Sequence, residues 1–447
     1  MMKTDVLVVG AGLSGLSTAC HLDKTSGLDS LVVEARDKVG GMASSETVGG
    51  FVFDQTGHLL HLHRPEGRRL VRGLLGRNLA PHRRRSWIHS HGVFTRYPFQ
   101  ANTYGLPARV VAECLADFLE TVHWPSPPVA DSFRRWCLAQ FGRGISRRFM
   151  FPYNEKVWRR PLGRITTDWQ GPFVPKPKAS EVICGAVTDQ TRAFGYNATF
   201  LYPVRGGIQS LADSLASGLR PGVVRTGARV LSVDLAERVA VVGGLGEVRF
   251  ERLVNTAPLP AFLSLARPAP AAVLSAAARL RHNTVYCLNI GVARAGVSDK
   301  HWIYFPEKRF PFYRVGFASN FSRHVAPHGA SSLYIEASRR PEEVVSLPRL
   351  ERRFMAGLKG CGILRSSDRV LARQWLPIEY GYVVYDRDRA PALKTIFAFL
   401  RNAKIESIGR YGAWKYSFME EALLDGKACA ERLAGMAGGR RDADVRP

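Results

Sequence analysis

Acidic residues are scarce in this chain. Only 38 Asp and Glu stand against 63 Lys and Arg, a formal charge of +25 and a pI near 10.2. The imbalance favours anionic partners: a phosphorylated substrate, nucleic acid or a lipid headgroup. Its plainer reading is an arginine-rich, solvated surface. The basic residues form only short clusters, such as Arg83–Arg85, Arg147–Arg148 and Arg159–Arg160. No RNA-binding aromatic signature and no zinc finger accompany them, so nucleic acid is not an expected partner. Cysteine is sparse too. Seven cysteines, an odd number with no CxxC pair, argue against a disulfide framework or a zinc site and fit a reducing, cytoplasmic setting. No apolar run approaches the length of a bilayer span, so no integral membrane segment is expected. Lys3 and Asp5 lead straight into an apolar run, so no signal peptide is expected.

What is present is enough apolar residue, 46% of 447, for two or three packed domains. Asp5–Val9 reads as a buried parallel strand. Gly10-Ala11-Gly12-Leu13-Ser14-Gly15 follows at once, then a helical run from Leu16 to Leu22, then a second strand, Ser30–Val33, ending in Glu34. This is the dinucleotide fingerprint in its required context. Gly10 permits the tight turn, Gly12 lets backbone approach a pyrophosphate, and Gly15 lets helix and strand pack closely. The helix N-terminus, with Leu13 and Ser14, faces phosphate, and Glu34 is placed to accept from ribose hydroxyls.

Glu34-Ala35-Arg36-Asp37-Lys38-Val39-Gly40-Gly41-Met42-Ala43-Ser44-Ser45 resembles the second signature of flavoproteins of the amine-oxidase and protoporphyrinogen-oxidase-like superfamily. The resemblance implies FAD rather than NAD, held by Glu34, Ala35, Gly41, Met42, Ala43 and Ser44. Downstream, Tyr202–Gly207, Leu253–Pro258 and Ile405–Tyr411 look like the returns of the chain to that domain. The helix through Gly426 to Leu433 would aim its positive end at the flavin, near Arg410 and Met419. The fold class expected is α/β: a Rossmann-type FAD-binding domain, an inserted small helical domain and an antiparallel β-sheet substrate domain. The FAD domain is discontinuous, at 1–83, 201–265 and 396–437. Helical spacing marks 103–152 as the helical domain. The sheet domain takes 84–102, 153–200 and 266–395, with alternation strongest over 280–338. The polar residues 438–447 read as a disordered tail.

A further set of blocks, in order along the chain, resembles the UDP-galactopyranose mutases, particularly the eukaryotic type. Gly57-His58-Leu59-Leu60-His61-Leu62-His63 looks like their flavin-facing loop, with Gly57 and His58 beside the cofactor. Tyr97-Pro98-Phe99-Gln100 resembles a uracil-binding segment, and Phe149–Trp158 a block that brings Asn154 and Trp158 to the nucleoside. Tyr196-Asn197-Ala198-Thr199-Phe200 matches a segment whose Asn, here Asn197, contacts the sugar. Trp302–Pro306 and Pro311–Arg314 match a block carrying a diphosphate-binding arginine, Arg314, and Gly381-Tyr382 and Arg410–Tyr416 complete the set. The resemblance implies a ring contraction with no net redox change, in which N5 of reduced FAD attacks the anomeric carbon, forms a flavin–sugar adduct and expels UDP. Arg314, Tyr304, Tyr382 and Tyr416 would hold the diphosphate, and His58 would set the flavin environment. A UDP-hexose is the implied substrate. NAD(P)H or another reductant and a homo-oligomer are the further partners it admits.

The residue types support this chemistry independently. Tyr97 or Phe99 can stack on a base, Gln100 can read its edge, and a guanidinium fork suits phosphate. Taken alone, Trp302 or Phe312 reads as core. His58, His61 and His63 lack the carboxylate or cysteine that would complete a metal site, so no metal is expected. Three positions depart from the mutase pattern. Phe173 stands where a second diphosphate arginine is expected, with Lys176 and Lys178 as substitutes only if the backbone turns one inward. Thr56 replaces a glycine, and His61 an aromatic. These departures keep two alternatives open: an FAD-dependent oxidoreductase of the amine-oxidase or protoporphyrinogen-oxidase type, and a flavin-bound interaction protein with a degenerate site.

Overall fold

A computed structural model describes residues 1–123 and 131–441. The strand Met2–Val9 is buried along its second half, as its β-branched run requires, and becomes the centre of an eight-stranded sheet. It pairs in parallel with Ser30–Val33 on one side and Gly246–Asn255 on the other. Val224–Arg225 and Ile405–Ser407 extend the parallel part outward. Val230–Asp234 and Val239–Val242 join as an antiparallel hairpin. The parallel strands bury both faces, which is why they read as unbroken apolar runs. Helices Leu13–Thr25, Pro65–Leu75, Gln209–Ser217 and Met419–Arg441 share one apolar cluster on this layer.

The second layer is a seven-stranded sheet. Its order is Val370–Val383, His282–Val292, Ser331–Arg339, Arg314–Phe317, Trp302–Tyr304, Ser86–Ser90 and Val93–Arg96. All pairings are antiparallel except Trp302–Tyr304 with Ser86–Ser90. In the inserted segment, Ala108–His123 packs on Phe133–Ile145, and the chain passes through a π-helical turn, Ser146–Met150, into Phe151–Trp158.

Two expectations about segments need correction. Residues 153–200 contribute helices and turns, not strands of the large sheet. Ala179–Val187 is fixed by the Glu181 carboxylate accepting from the Lys178 backbone N–H at 2.8 Å and buries Val182 and Ala186 beside the helical pair. Their one strand, Thr199–Tyr202, pairs with Ala80–Arg83 instead. At the C-terminus, the last helix continues through Arg441, so 438–441 are helical. The remainder of the expected tail, 442–447, lies outside the described residues.

Candidate active site

The two sheets face one another across a cavity of about 1160 Å³. At one end lies the glycine turn. Gly10 adopts φ +100, and a Cβ there would collide with the Thr256 hydroxyl. Thr256 itself donates to the Val9 carbonyl at 2.9 Å. A Cβ on Gly15 would overlap the Gly10 carbonyl oxygen. Helix Leu13–Thr25 has no side-chain cap and no acid in its first turn, so its positive end is free for an anion. The Glu34 carboxylate accepts from the Ala11 and Arg36 backbone N–H groups at 2.9 and 3.0 Å. It thereby ties the second strand to the glycine turn. Ala35, Gly41, Met42 and Ala43 line the same end. Gly15 and Ser44 do not: they are packed behind it, and Ser44 donates to the Gly41 carbonyl at 3.0 Å.

Gly57 and His58 lie further along the cavity. The turn before them places Thr56 at φ +82, a left-handed conformation that disfavours a β-branched residue. Burial pushes the His58 imidazole down to about 4, and Arg410 and Arg314 add repulsion, so it is neutral at pH 7. His61 occupies its aromatic position as an aromatic: its ring meets Tyr196 at 5.7 Å and Phe200 at 6.1 Å. His63 meets Tyr196 and Phe418. No metal-binding group of three such side chains forms among the described residues.

Tyr304, Tyr382, Tyr416 and Arg314 converge on the same space. Tyr382 and Tyr416 stack at 6.0 Å, with the Arg410 guanidinium 5.1 Å from the Tyr416 ring. Arg410 is held by the Gly381 and Ser417 carbonyls at 3.1 and 2.7 Å. Arg314 is not free. Its Nε and Nη2 donate to the two carboxylate oxygens of Glu336 at 3.0 and 2.7 Å, and Glu336 is fully buried. The two residues are direct cross-strand partners. Glu336 escaped the sequence reading, although a lone acid inside the apolar strand Ser331–Arg339 is a signal.

Tyr97, Gln100, Asn154, Trp158, Asn197, Trp302 and Met419 also line the cavity. Gln100 donates through Nε2 to the Pro175 carbonyl at 2.8 Å, while its Oε1 is buried without a partner. Trp158 packs against Trp169 at 4.9 Å. Asn197 Oδ1 accepts from Arg84, whose other arm donates to the Phe194 carbonyl at 2.7 Å. Phe99 is a correction. Expected to stack on a base, it is fully buried and stacks on Phe149 at 5.2 Å. In the short turn Phe99–Ala101 neighbouring side chains diverge, and the apolar one goes to the core. The lysines near Phe173 stay outside. Lys176 lies 5.5 Å from the Trp136 ring, and both Lys176 and Lys178 are exposed.

The flavin containing amine oxidoreductase family matches residues 13–434. The chain belongs to this family. Within the amine oxidoreductase fold it resembles a reduced UDP-galactopyranose mutase, with a TM-score of 0.91 at 25% identity over 97% of this chain and 96% of that one. A putative protoporphyrinogen oxidase from Exiguobacterium sp. 255-15 shares the fold alone, with a TM-score of 0.72 at 14% identity over 97% and 98% of the two chains. The coproporphyrinogen III oxidase of Mycobacterium tuberculosis (strain ATCC 25618 / H37Rv) is 30% identical over 258 residues, 52% of this chain and 54% of that protein. The chain thus spans about half the length of the curated relatives it matches. The cofactor is FAD. The residues fit it: a turn that admits no Cβ at Gly10 or Gly15, an uncapped helix end and the Glu34 carboxylate held by the Ala11 N–H come together at one end of the cavity. Among the described residues no helix is long and apolar enough to cross a membrane.

Proposed function

We propose that this flavoenzyme interconverts the pyranose and furanose forms of a nucleotide sugar, a UDP-hexose, as a mutase of the isomerase class. The observation that carries the reading is that Arg314, Tyr304, Tyr382 and Tyr416 line the same cavity as His58 and the glycine turn. Reduced FAD would supply the nucleophile toward the anomeric carbon. The protein's part is positioning and charge. Burial pushes the pKa of the Tyr304 and Tyr382 phenols above its ordinary value, so both remain neutral donors to a diphosphate. Arg314 keeps Nη1 for phosphate while Glu336 holds the rest of its fork. Gln100, its amide nitrogen already engaged, presents Oε1 to an imino N–H such as that of uracil. Asn197, with Oδ1 engaged, presents its amide nitrogen to the sugar. His58 stays uncharged beside the flavin.

The division of labour follows the same reading. The segments of 1–83, 201–265 and 396–437 bind FAD, and the sheet with its helical insertion binds substrate. All seven cysteines are free, in keeping with a cytoplasmic site of action and a reductant such as NAD(P)H. A second reading, an FAD-dependent oxidoreductase, draws support from Phe173, which removes a cation from the substrate end, and from the partial likeness to a coproporphyrinogen III oxidase. One assay separates them. Dithionite-reduced protein is incubated anaerobically with UDP-galactopyranose or UDP-galactofuranose and the products are resolved. Turnover only after reduction, without oxygen uptake, is expected of the mutase. Absence of turnover with any UDP-, dTDP- or GDP-sugar refutes it in favour of the oxidoreductase.

A further inference from the structure

A diphosphate carries two charges into a site where the resemblance leads one to expect two arginines. One, Arg314, shares its fork with Glu336. The other position is Phe173. The nearby cations do not fill the gap: Lys176 and Lys178 point outward, Arg84 is taken up by Asn197 and the Phe194 carbonyl, and Arg410 by two backbone carbonyls. What stands against the Phe173 ring is Tyr196, edge to face at 5.1 Å. Phe418 lies 6.1 Å from the Tyr196 ring and nearly parallel to it. Tyr196 lines the cavity, and none of the hydrogen bonds among the described residues uses its hydroxyl. Tyr416, Tyr97 and Tyr304 line the same cavity. Tyr196 thus stands in the same cavity as the tyrosine cluster, with its ring in contact with Phe173 and Phe418.

We propose that Tyr196 stands in for the missing second arginine, donating a neutral phenolic hydrogen bond to the diphosphate of a nucleotide sugar, with Phe173 as the ring that holds it in place. This rests on the mutase-like reading above. Burial, then the neighbouring tyrosines, keeps the phenol well above its ordinary titration range, so the donor is present at every working pH. A neutral donor to phosphate also avoids a further buried cation beside Arg314 and Arg410.

The test uses FAD-loaded protein and three probes, UDP, UMP and uridine. Tyr196→Phe keeps the ring contacts and removes only the donor. Loss of a hydrogen bond to a charged group predicts roughly tenfold or greater weakening of UDP, with uridine affinity and FAD content unchanged. A second pair, Tyr196→Gln and Tyr196→Leu, differs in the donor at similar volume, and Gln is expected to bind UDP more tightly than Leu. UMP reports which phosphate is engaged: a smaller loss than for UDP places the bond on the distal phosphate, an equal loss on the proximal one. UDP affinity unchanged in Tyr196→Phe, or weakened in parallel with uridine, overturns the role of Tyr196 while leaving the mutase-like reading standing. Failure of the wild-type holoprotein to bind either UDP or uridine overturns both.

Discussion

The Arg314–Glu336 pair makes a quantitative demand on the mutase-like reading. Removing either partner leaves a buried charge alone, which costs about 3 kcal/mol. Spread over cooperative unfolding of 447 residues, that lowers the melting temperature by about 3 °C. Stability therefore falls alike in Arg314→Ala and Glu336→Gln. Ligand binding separates them. Arg314→Ala loses a charged donor, about 1.5–3 kcal/mol or roughly 10- to 150-fold in UDP affinity. It also leaves the Glu336 carboxylate facing the diphosphate. Glu336→Gln frees the guanidinium and is expected to bind UDP at least as tightly as wild type. The double variant Arg314→Ala/Glu336→Gln should bind UDP better than Arg314→Ala alone, because the repulsive charge is gone. The assay is calorimetric titration of FAD-loaded proteins with UDP, with FAD content measured by absorbance. UDP affinity in Arg314→Ala within threefold of wild type would refute the phosphate role of Arg314. A double variant no better than the single would show that Glu336 contributes no charge at the site.

Three other expectations follow from particular contacts. Gly15→Val should yield protein that cannot retain FAD, since even a Cβ overlaps the Gly10 carbonyl oxygen; normal flavin content by absorbance would contradict the cradle. Thr56→Gly should raise stability by about 1 kcal/mol by relieving the left-handed threonine, seen as a higher urea midpoint, and an unchanged or lower midpoint would count against strain there. Burial pushes His61 down to about 4 from 6.5. Between those values the unfolded chain takes up a proton that the folded protein refuses, so stability falls as pH drops from 6.5 toward 4, by at most about 1.4 kcal/mol per unit for this group. His61→Phe keeps the ring contacts and should flatten the fall in urea stability between pH 7 and pH 5; an equally steep profile would show that His61 does not titrate this way.

The nucleotide end was legible in the sequence because its chemistry is local. Gly10, Gly12 and Gly15 act within one turn, and strand, turn and helix are contiguous, so their spacing alone dictates a phosphate cradle. Glu34 lies a fixed βαβ distance away, and the structure brings its carboxylate to the Ala11 N–H. His58, Tyr304, Tyr382 and Tyr416 could be named from the resemblance, and they do reach one cavity. Their surroundings could not be named, because these depend on which strands become neighbours.

Only the tertiary structure decided the character of the substrate end. Arg314 and Glu336 are 22 positions apart, and antiparallel register alone sets them opposite one another; the sequence shows a basic residue where the fold supplies a neutralised pair. Phe99 and Gln100 are adjacent, yet the turn sends one to the core and the other to the cavity. Lys176 is near Phe173 in sequence but rests on Trp136 outside, while Tyr196, more than twenty positions away, packs against that ring. Short-range sequence determines backbone chemistry such as a glycine turn, because it acts over one or two peptide units. The charge and polarity of a cavity are set by side chains from distant segments, and their directions are fixed only once the apolar faces of both sheets are buried.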